Sequence, residues 1–297
     1  MPSTRELRLR VRSIKNLAQV TRALETVSAS YVRRAIQATQ ATRPYAERAW
    51  KVLIHLARQP GRTSLHPLLT ERAEVRKSLV IMVSGDRGLA GAYNVNILRQ
   101  TLTQFNASPV PVSYVAVGRK GRDLLVRRRK DVIADFSRLP NPPTFADVSA
   151  IGRLVVDDFQ NGLYDQVYIA YTDFVNMVVQ QPVVRKLLPL DVQYGEDGRV
   201  ESFEVTHHTN SVFVYEPDQE ELLNEIVPRF TALQIYQAIL SAQASEHAAR
   251  MVAMRNATES ANELIGSLQL EYNKLRQQLI TSEMLDISGG AEALSQS

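Results

Sequence analysis

The sequence contains no cysteine among its 297 residues, which excludes disulfides, thiol nucleophiles and zinc–thiolate sites and fits a reducing compartment. No apolar run reaches the ~18 residues of a membrane-spanning helix. The N-terminus, Met1-Pro-Ser-Thr-Arg-Glu, lacks the apolar core of a secretory signal and reads as mature protein. Catalytic constellations are missing too: nothing assembles a nucleophile, a base and an orienting group. Glu246-His247 is not a His-Glu-x-x-His pair. His207 and His208 are neighbours on a predicted strand, where they point to opposite faces and cannot share one metal. Asn256-Ala-Thr matches a glycosylation sequon but lies in a helical pattern. The residues therefore assign no catalytic site, no cofactor and no metal.

Proline is absent from Arg229 to Asp286, and Gly266 is the only glycine there. This run is rich in Ala, Leu, Gln, Glu and Met, which lose least on entering a helix. From Met254, small or apolar residues recur at Ala257, Ala261, Leu264, Leu268, Leu275 and Leu279, a narrow stripe close to a coiled-coil seam. Roughly 55 helical residues at about 1.5 Å each make a rod of about 80 Å, too long for one small domain to cover. At the other end, Leu7, Val11, Ile14, Leu17, Val20, Leu24, Val27 and Tyr31 form a second helical stripe between Arg5 and Arg58. Ser3 or Thr4 is placed to cap it. Pro44 should kink this helix or cost about 3 kcal/mol, and Gln59-Pro-Gly-Arg is a stop signal.

The overall charge of +4 is unevenly placed. Residues 1–60 carry twelve Lys and Arg against three Glu, a net of +9, and residues 216–286 carry five against eleven acids, a net of −6. An antiparallel pairing of the two helices, basic face near acidic face, is the economical expectation. Such exposed pairs are worth only ~0.2–1 kcal/mol each and would set orientation more than stability.

Between the helices the pattern changes. Residues 60–76 read as a connection, and Ser78–Ser84 as an apolar central parallel strand. Helices are predicted at 94–105, 119–129 and 145–160, and strands at 110–117, 131–136 and 166–171. Hairpin material follows over 174–215, with a turn at Gly195-Glu-Asp-Gly and alternation at Val212 and Val214. The alternation implies an open, mostly parallel, Rossmann-like α/β sheet inserted into a long antiparallel coiled coil. The expected domains are an N-terminal helix 1–58, a connection 59–76, an α/β domain 77–215, a C-terminal helix 216–287 and a tail 288–297.

Gly85, Gly88 and Gly91 form a loop between the first strand and its helix, where phosphate loops sit. Their Gly-x-x-Gly-x-x-Gly spacing is neither a dinucleotide fingerprint nor a Walker loop, and they read as a tight structural turn. The basic cluster Arg119, Lys120, Arg122, Arg127, Arg128, Arg129 and Lys130 lacks the interleaved aromatics of a nucleic-acid surface and reads as a solvated helix face. On composition alone three readings stand: a coiled-coil scaffold or adaptor, a nucleotide-binding α/β enzyme with helical arms, and a basic nucleic-acid binder.

Three stretches carry a resemblance. Residues 14–30, Ile14-Lys-Asn-Leu-Ala-Gln-Val-Thr-Arg-Ala-Leu-Glu-Thr-Val-Ser-Ala-Ser, come first, followed by the glycine loop Gly85-Asp-Arg-Gly-Leu-Ala-Gly-Ala-Tyr-Asn. The third is Ala244-Ser-Glu-His-Ala-Ala-Arg-Met-Val-Ala-Met-Arg-Asn-Ala-Thr, continued by Tyr272-Asn-Lys-Leu-Arg-Gln-Gln-Leu-Ile-Thr. Together they resemble the gamma subunits of rotary F-type ATP synthases over nearly the whole chain. The resemblance implies a non-catalytic rotor shaft turning inside a head of alpha and beta subunits. Its α/β foot would sit on the membrane c-ring beside the epsilon subunit. It also implies a peripheral position on the cytoplasmic face of a bacterial cell membrane, membrane contact only through the complex, and no nucleic acid. By the same resemblance Leu24, Arg276, Gln277, Thr281 and Glu283 contact the catalytic head, and Arg33 and Arg34 lie near where the coiled coil leaves its sleeve. The chain departs from the commonest family pattern at Leu24, Thr26, Tyr31 and Ala90. No cysteine-bearing regulatory insert is present.

Overall fold

The computed structural model describes residues 3–57, 66–190 and 219–295. Gln59-Pro-Gly-Arg, the Gly195 turn, His207, His208, Val212, Val214 and the start of the C-terminal run at Glu216 lie outside them. Two long helices, α1 (Thr4–Ala57) and α5 (Gln219–Ser295), enter both of two compact units. One unit comprises residues 1–27 and 251–297, the other residues 28–250. The expected tail is helical as far as Ser295, and the helix continues through Gly289 and Gly290, residues that more often end one.

In the first unit Ser3 caps α1, its hydroxyl accepting from the Glu6 amide at 3.2 Å. The helices run antiparallel: Arg8 donates to the Tyr272 hydroxyl at 2.7 Å, Thr21 meets Thr258 at 2.7 Å and Arg255 meets Glu25 at 2.9 Å. The buried seam is not the stripe read from the larger apolar residues. Leu7, Val11, Ala18 and Thr21 are buried, whereas Leu17 is 57% and Val20 55% exposed. Two helices wound about each other keep a strict seven-residue period in contact. Counted from Leu7 and Val11, that period lands on Ala18 and Thr21, while steps of three drift off it to Leu17 and Val20. On α5 the expected stripe largely holds: Met254 and Ala261 are buried, joined by Met251, and Ala257, Leu268 and Leu275 are half-buried, whereas Leu264 and Leu279 are exposed. The expected charge pairing also fails. Among the described residues the ion pair joining α1 to α5 is Glu25–Arg255, with the acid on the basic helix.

In the second unit a five-stranded sheet is built from β1 (Ser78–Val83), β2 (Val112–Val117), β3 (Asp131–Phe136), β4 (Gln166–Phe174) and β5 (Gln180–Leu188). Its order is β3-β2-β1-β4-β5, parallel except for the β4–β5 hairpin. β1 is the central strand and is buried throughout. Alternation along the strands divides the core. Val80, Met82, Tyr114, Ala116 and Ala170 pack with α2 (Tyr93–Phe105) and α3 (Arg119–Arg127). On the opposite face Leu79, Ile81, Val115, Val167 and Ile169 pack with α4 (Phe145–Gln160). That same cluster takes in Trp50 of α1 and Phe230, Leu233, Ile239 and Leu240 of α5. The terminal helices thus supply one cover of the sheet, and Trp50 stacks on Phe230 at 5.2 Å. α1 stays helical through Pro44.

Candidate functional site

Four of the residues assigned to head contact share one end of α5. Arg276, Gln277, Thr281 and Glu283 are all exposed, and Thr281 returns its hydroxyl to the Gln277 carbonyl at 2.9 Å. Around them Leu279, Ile280, Met284, Leu285 and Ile287 are exposed as well. α1 begins at Thr4, and its Arg8 is already level with Tyr272, so the last turns of α5 run past the end of their partner helix. Leu24, half-buried on α1, is not brought to this end. Its neighbour Glu25 meets Arg255, which precedes Arg276 by about 30 Å of helix at ~1.5 Å per residue.

The glycine loop occupies the place where doubly wound sheets take ligands, outside the carboxyl end of β1 where the strand order reverses. Here that crevice is filled by α5. A Cβ on Gly85 would stand 2.7 Å from the Glu246 carboxyl group, so a side chain at this position would require that carboxylate to move. Gly91 has φ +56°, and Gly88 has open space beside it. The loop is tied to the sheet by polar contacts. The Gly85 amide donates to Asn94 at 2.9 Å, and Asp86 accepts from the amides of Arg119 at 3.0 Å and Arg138 at 2.9 Å. Gly118, with φ +99°, is the glycine this crossing most needs, because a Cβ there would overlap the Ser84 carbonyl. The Val117-Gly-Arg-Lys-Gly stretch, a second strand–glycine–helix junction, was its sequence signal.

Glu246 and Arg250 are ion-paired one turn apart, with only about a tenth of each side chain exposed. Arg250 also donates to the Gly88 carbonyl at 3.3 Å and to His247 Nδ1 at 3.0 Å. Burial pushes the Glu246 carboxyl up, against the opposing pull of Arg250. His247 is pushed down to about 4, first by burial and then by Arg250 and Arg87, so its ring is neutral at physiological pH. Accepting at Nδ1 places its proton on Nε2, which faces the Asn141 carboxamide and calls for that group's oxygen. Tyr31 stacks on the ring at 4.9 Å. Next to this cluster Tyr93 donates to the Ala242 carbonyl at 3.0 Å, and burial raises its hydroxyl well above the usual value. The sequence pattern placed none of these partners at the loop.

The basic cluster is partly neutralised. Arg122 pairs with Asp123 at 2.9 Å and Asp135 at 3.0 Å, and Lys130 donates to Asn106 at 2.9 Å. Arg127, Arg128 and Arg129 are exposed. No group of three or more potential metal ligands occurs among the described residues, and no described helix is long and apolar enough to cross a membrane.

A family model described as ATP synthase matches residues 3–294. The ATP synthase gamma chain of Roseiflexus sp. (strain RS-1) is 44% identical, with both chains covered in full. That of Chloroflexus aurantiacus (strain ATCC 29366 / DSM 635 / J-10-fl) is 43% identical over 99% of this chain and all of the relative. Among solved structures, the rotor of the Euglena gracilis mitochondrial ATP synthase shares the fold. It aligns with a TM-score of 0.63 at 18% identity, covering 93% of this chain and 98% of that one. A chain of the Tetrahymena thermophila mitochondrial ATP synthase central stalk and c-ring aligns with a TM-score of 0.59 at 25% identity, over 80% and 99%. With full-length identity to curated relatives and the shared architecture of helix pair and sheet, the chain belongs to the ATP synthase gamma chain family.

Proposed function

We propose that this chain is the central-stalk subunit of a proton-driven ATP synthase, carrying rotation of a membrane c-ring to an alpha/beta catalytic head. The observation that carries this reading is the end of α5. Leu279, Ile280, Met284, Leu285 and Ile287 are exposed on a helix that has outrun α1, so among the described residues this apolar surface has no cover. A partner that encloses the helix end accounts for that surface, and a patch of this kind marks an interaction site. Arg276, Gln277, Thr281 and Glu283 contact the head there. Leu24 contacts it further along the shaft.

The chain itself performs no chemistry. Its part is to present a different contact surface to each catalytic subunit as it turns, shifting that subunit among conformations by differential affinity. The occupation of the β1 crevice by Glu246 supports this against a nucleotide-binding reading, since the phosphate position is held by a carboxylate. The glycine loop of Gly85, Gly88 and Gly91 serves as a structural turn. The sheet-bearing unit is the foot that meets the c-ring and the epsilon subunit on the cytoplasmic face of the cell membrane, peripherally and through the complex alone. Co-expression with alpha, beta and epsilon subunits tests the reading. The tagged chain should recover all three in a complex with ATPase activity, and recovery of the chain alone would refute it.

A further inference from the structure

A rotor foot must turn its shaft without letting it slip. Apolar packing is non-directional: the burial of Phe230, Leu233, Ile239 and Leu240 holds α5 against the sheet but resists its turning in place only weakly. Directional contacts resist turning, and they are concentrated between Tyr236 and Arg250. Tyr236 donates to the Pro143 carbonyl at 3.1 Å and Gln243 to the Pro140 carbonyl at 3.1 Å, both in the loop after β3. Ser241 accepts from the Phe174 amide at 2.9 Å and donates to Asp173 at 2.8 Å, at the end of β4. Glu246 fills the space over Gly85, and Arg250 reaches the Gly88 carbonyl, both in the loop after β1. At about 100° per residue, Ser241 and Gln243 lie roughly 160° apart around the helix, so α5 is gripped from nearly opposite sides.

We propose that Glu246, braced by Arg250 and seated over Gly85, acts with Ser241 and Gln243 as a torque key that locks α5 to the three loops at the carboxyl ends of β1, β3 and β4. These are positioning residues: their contacts are to this chain's own loops and strand ends, and they hold α5 at one angle about its own axis. The inference rests on the rotor reading above. Under that reading a loosened key lets the helix slip when the load is high and costs little when the shaft turns freely.

The test uses the complete complex in sealed vesicles, with ATP hydrolysis and ATP-driven proton uptake measured on the same preparation. For Glu246→Ala, hydrolysis with the gradient collapsed should stay within about twofold of the unaltered complex, while uptake against an established gradient falls by about fivefold or more. Glu246→Gln keeps the shape and an acceptor for Arg250, and should recover much of the uptake. A merely structural role would lower both activities together. Unchanged uptake per ATP in Glu246→Ala overturns the proposal. If that chain does not assemble, the Ser241→Ala/Gln243→Ala double variant decides: a selective loss under load supports the key, and full coupling overturns it. An unaltered complex that hydrolyses ATP but takes up no protons would instead refute the rotor reading.

Discussion

Replacing Arg250 with methionine should destabilise the sheet-bearing unit in a pH-dependent way. The side chain is buried, and its guanidinium serves Glu246, His247 Nδ1 and the Gly88 carbonyl. Methionine retains much of the stem's packing, so the loss falls on the charge. Removing one partner of a buried pair costs about 3–5 kcal/mol, because the other charge stays buried and uncompensated. Glu246 has an escape that caps this cost, since it can take up a proton. Its carboxyl already sits above the usual value through burial, and losing Arg250 removes the opposing pull. A raised carboxyl binds more protons folded than unfolded above the unfolded pKa, so stability is lost as pH rises toward the folded pKa. The slope reaches at most about 1.4 kcal/mol per pH unit. The variant should therefore be closer to the unaltered protein at pH 5 than at pH 8. Trp50, the only tryptophan in the sequence, is buried against Phe230 in this same unit, so its fluorescence during urea unfolding reports the relevant transition. A loss below about 1 kcal/mol at pH 8, or equal losses at both pH values, would refute the reasoning.

Other outcomes are open to the same kind of measurement. His247, held near 4 in the fold, should cost the unit stability as pH falls from about 6.5 toward 4, by at most about 3 kcal/mol. Protonation of Glu246 partly offsets that loss, and His247→Gln should remove the histidine part of the Trp50 response. Gly152→Val would drive a Cβ to 2.7 Å from Ala232 and should cost about 1–3 kcal/mol by urea unfolding. Gly266→Ala meets nothing within 4 Å and should slow amide exchange around residue 266, by up to about 1 kcal/mol of added helix stability. Deleting residues 281–297 should weaken recovery of alpha and beta subunits and leave the Trp50 unfolding midpoint unchanged; a shifted midpoint would contradict the assignment of that end to partner contact.

Much of the fold is readable because it is locally encoded. The apolar run of β1, the strand–helix alternation from Ser78 to Phe174 and the proline-free C-terminal run each follow from propensity and period. The bounds of β3 and α4 agree with the pattern to the residue. The α1 seam was misread for a physical reason: volume drew attention to Leu17 and Val20, whereas supercoil geometry selects by period and admits Ala18 and Thr21. The key at the glycine loop was illegible because it joins residues about 160 positions apart. Nothing local in Glu246-His247 indicates which loop they meet. The end of α5 was legible only as an exposed helix, and its role came from resemblance.

The seam of small residues has a mechanical consequence. Ala18 and Thr21 with Ala261 are short side chains, and Thr21 reaches Thr258 at 2.7 Å, so at this level the seam permits the close end of the ~8–10 Å range for packed helices. Torque is force times radius, so a narrow pair shortens the lever arm on which any surrounding surface can act. Drag from a given contact then opposes turning less. By the same proportion, each contact that transmits work must bear a larger tangential force, and a long shaft can divide that force among many turns of helix.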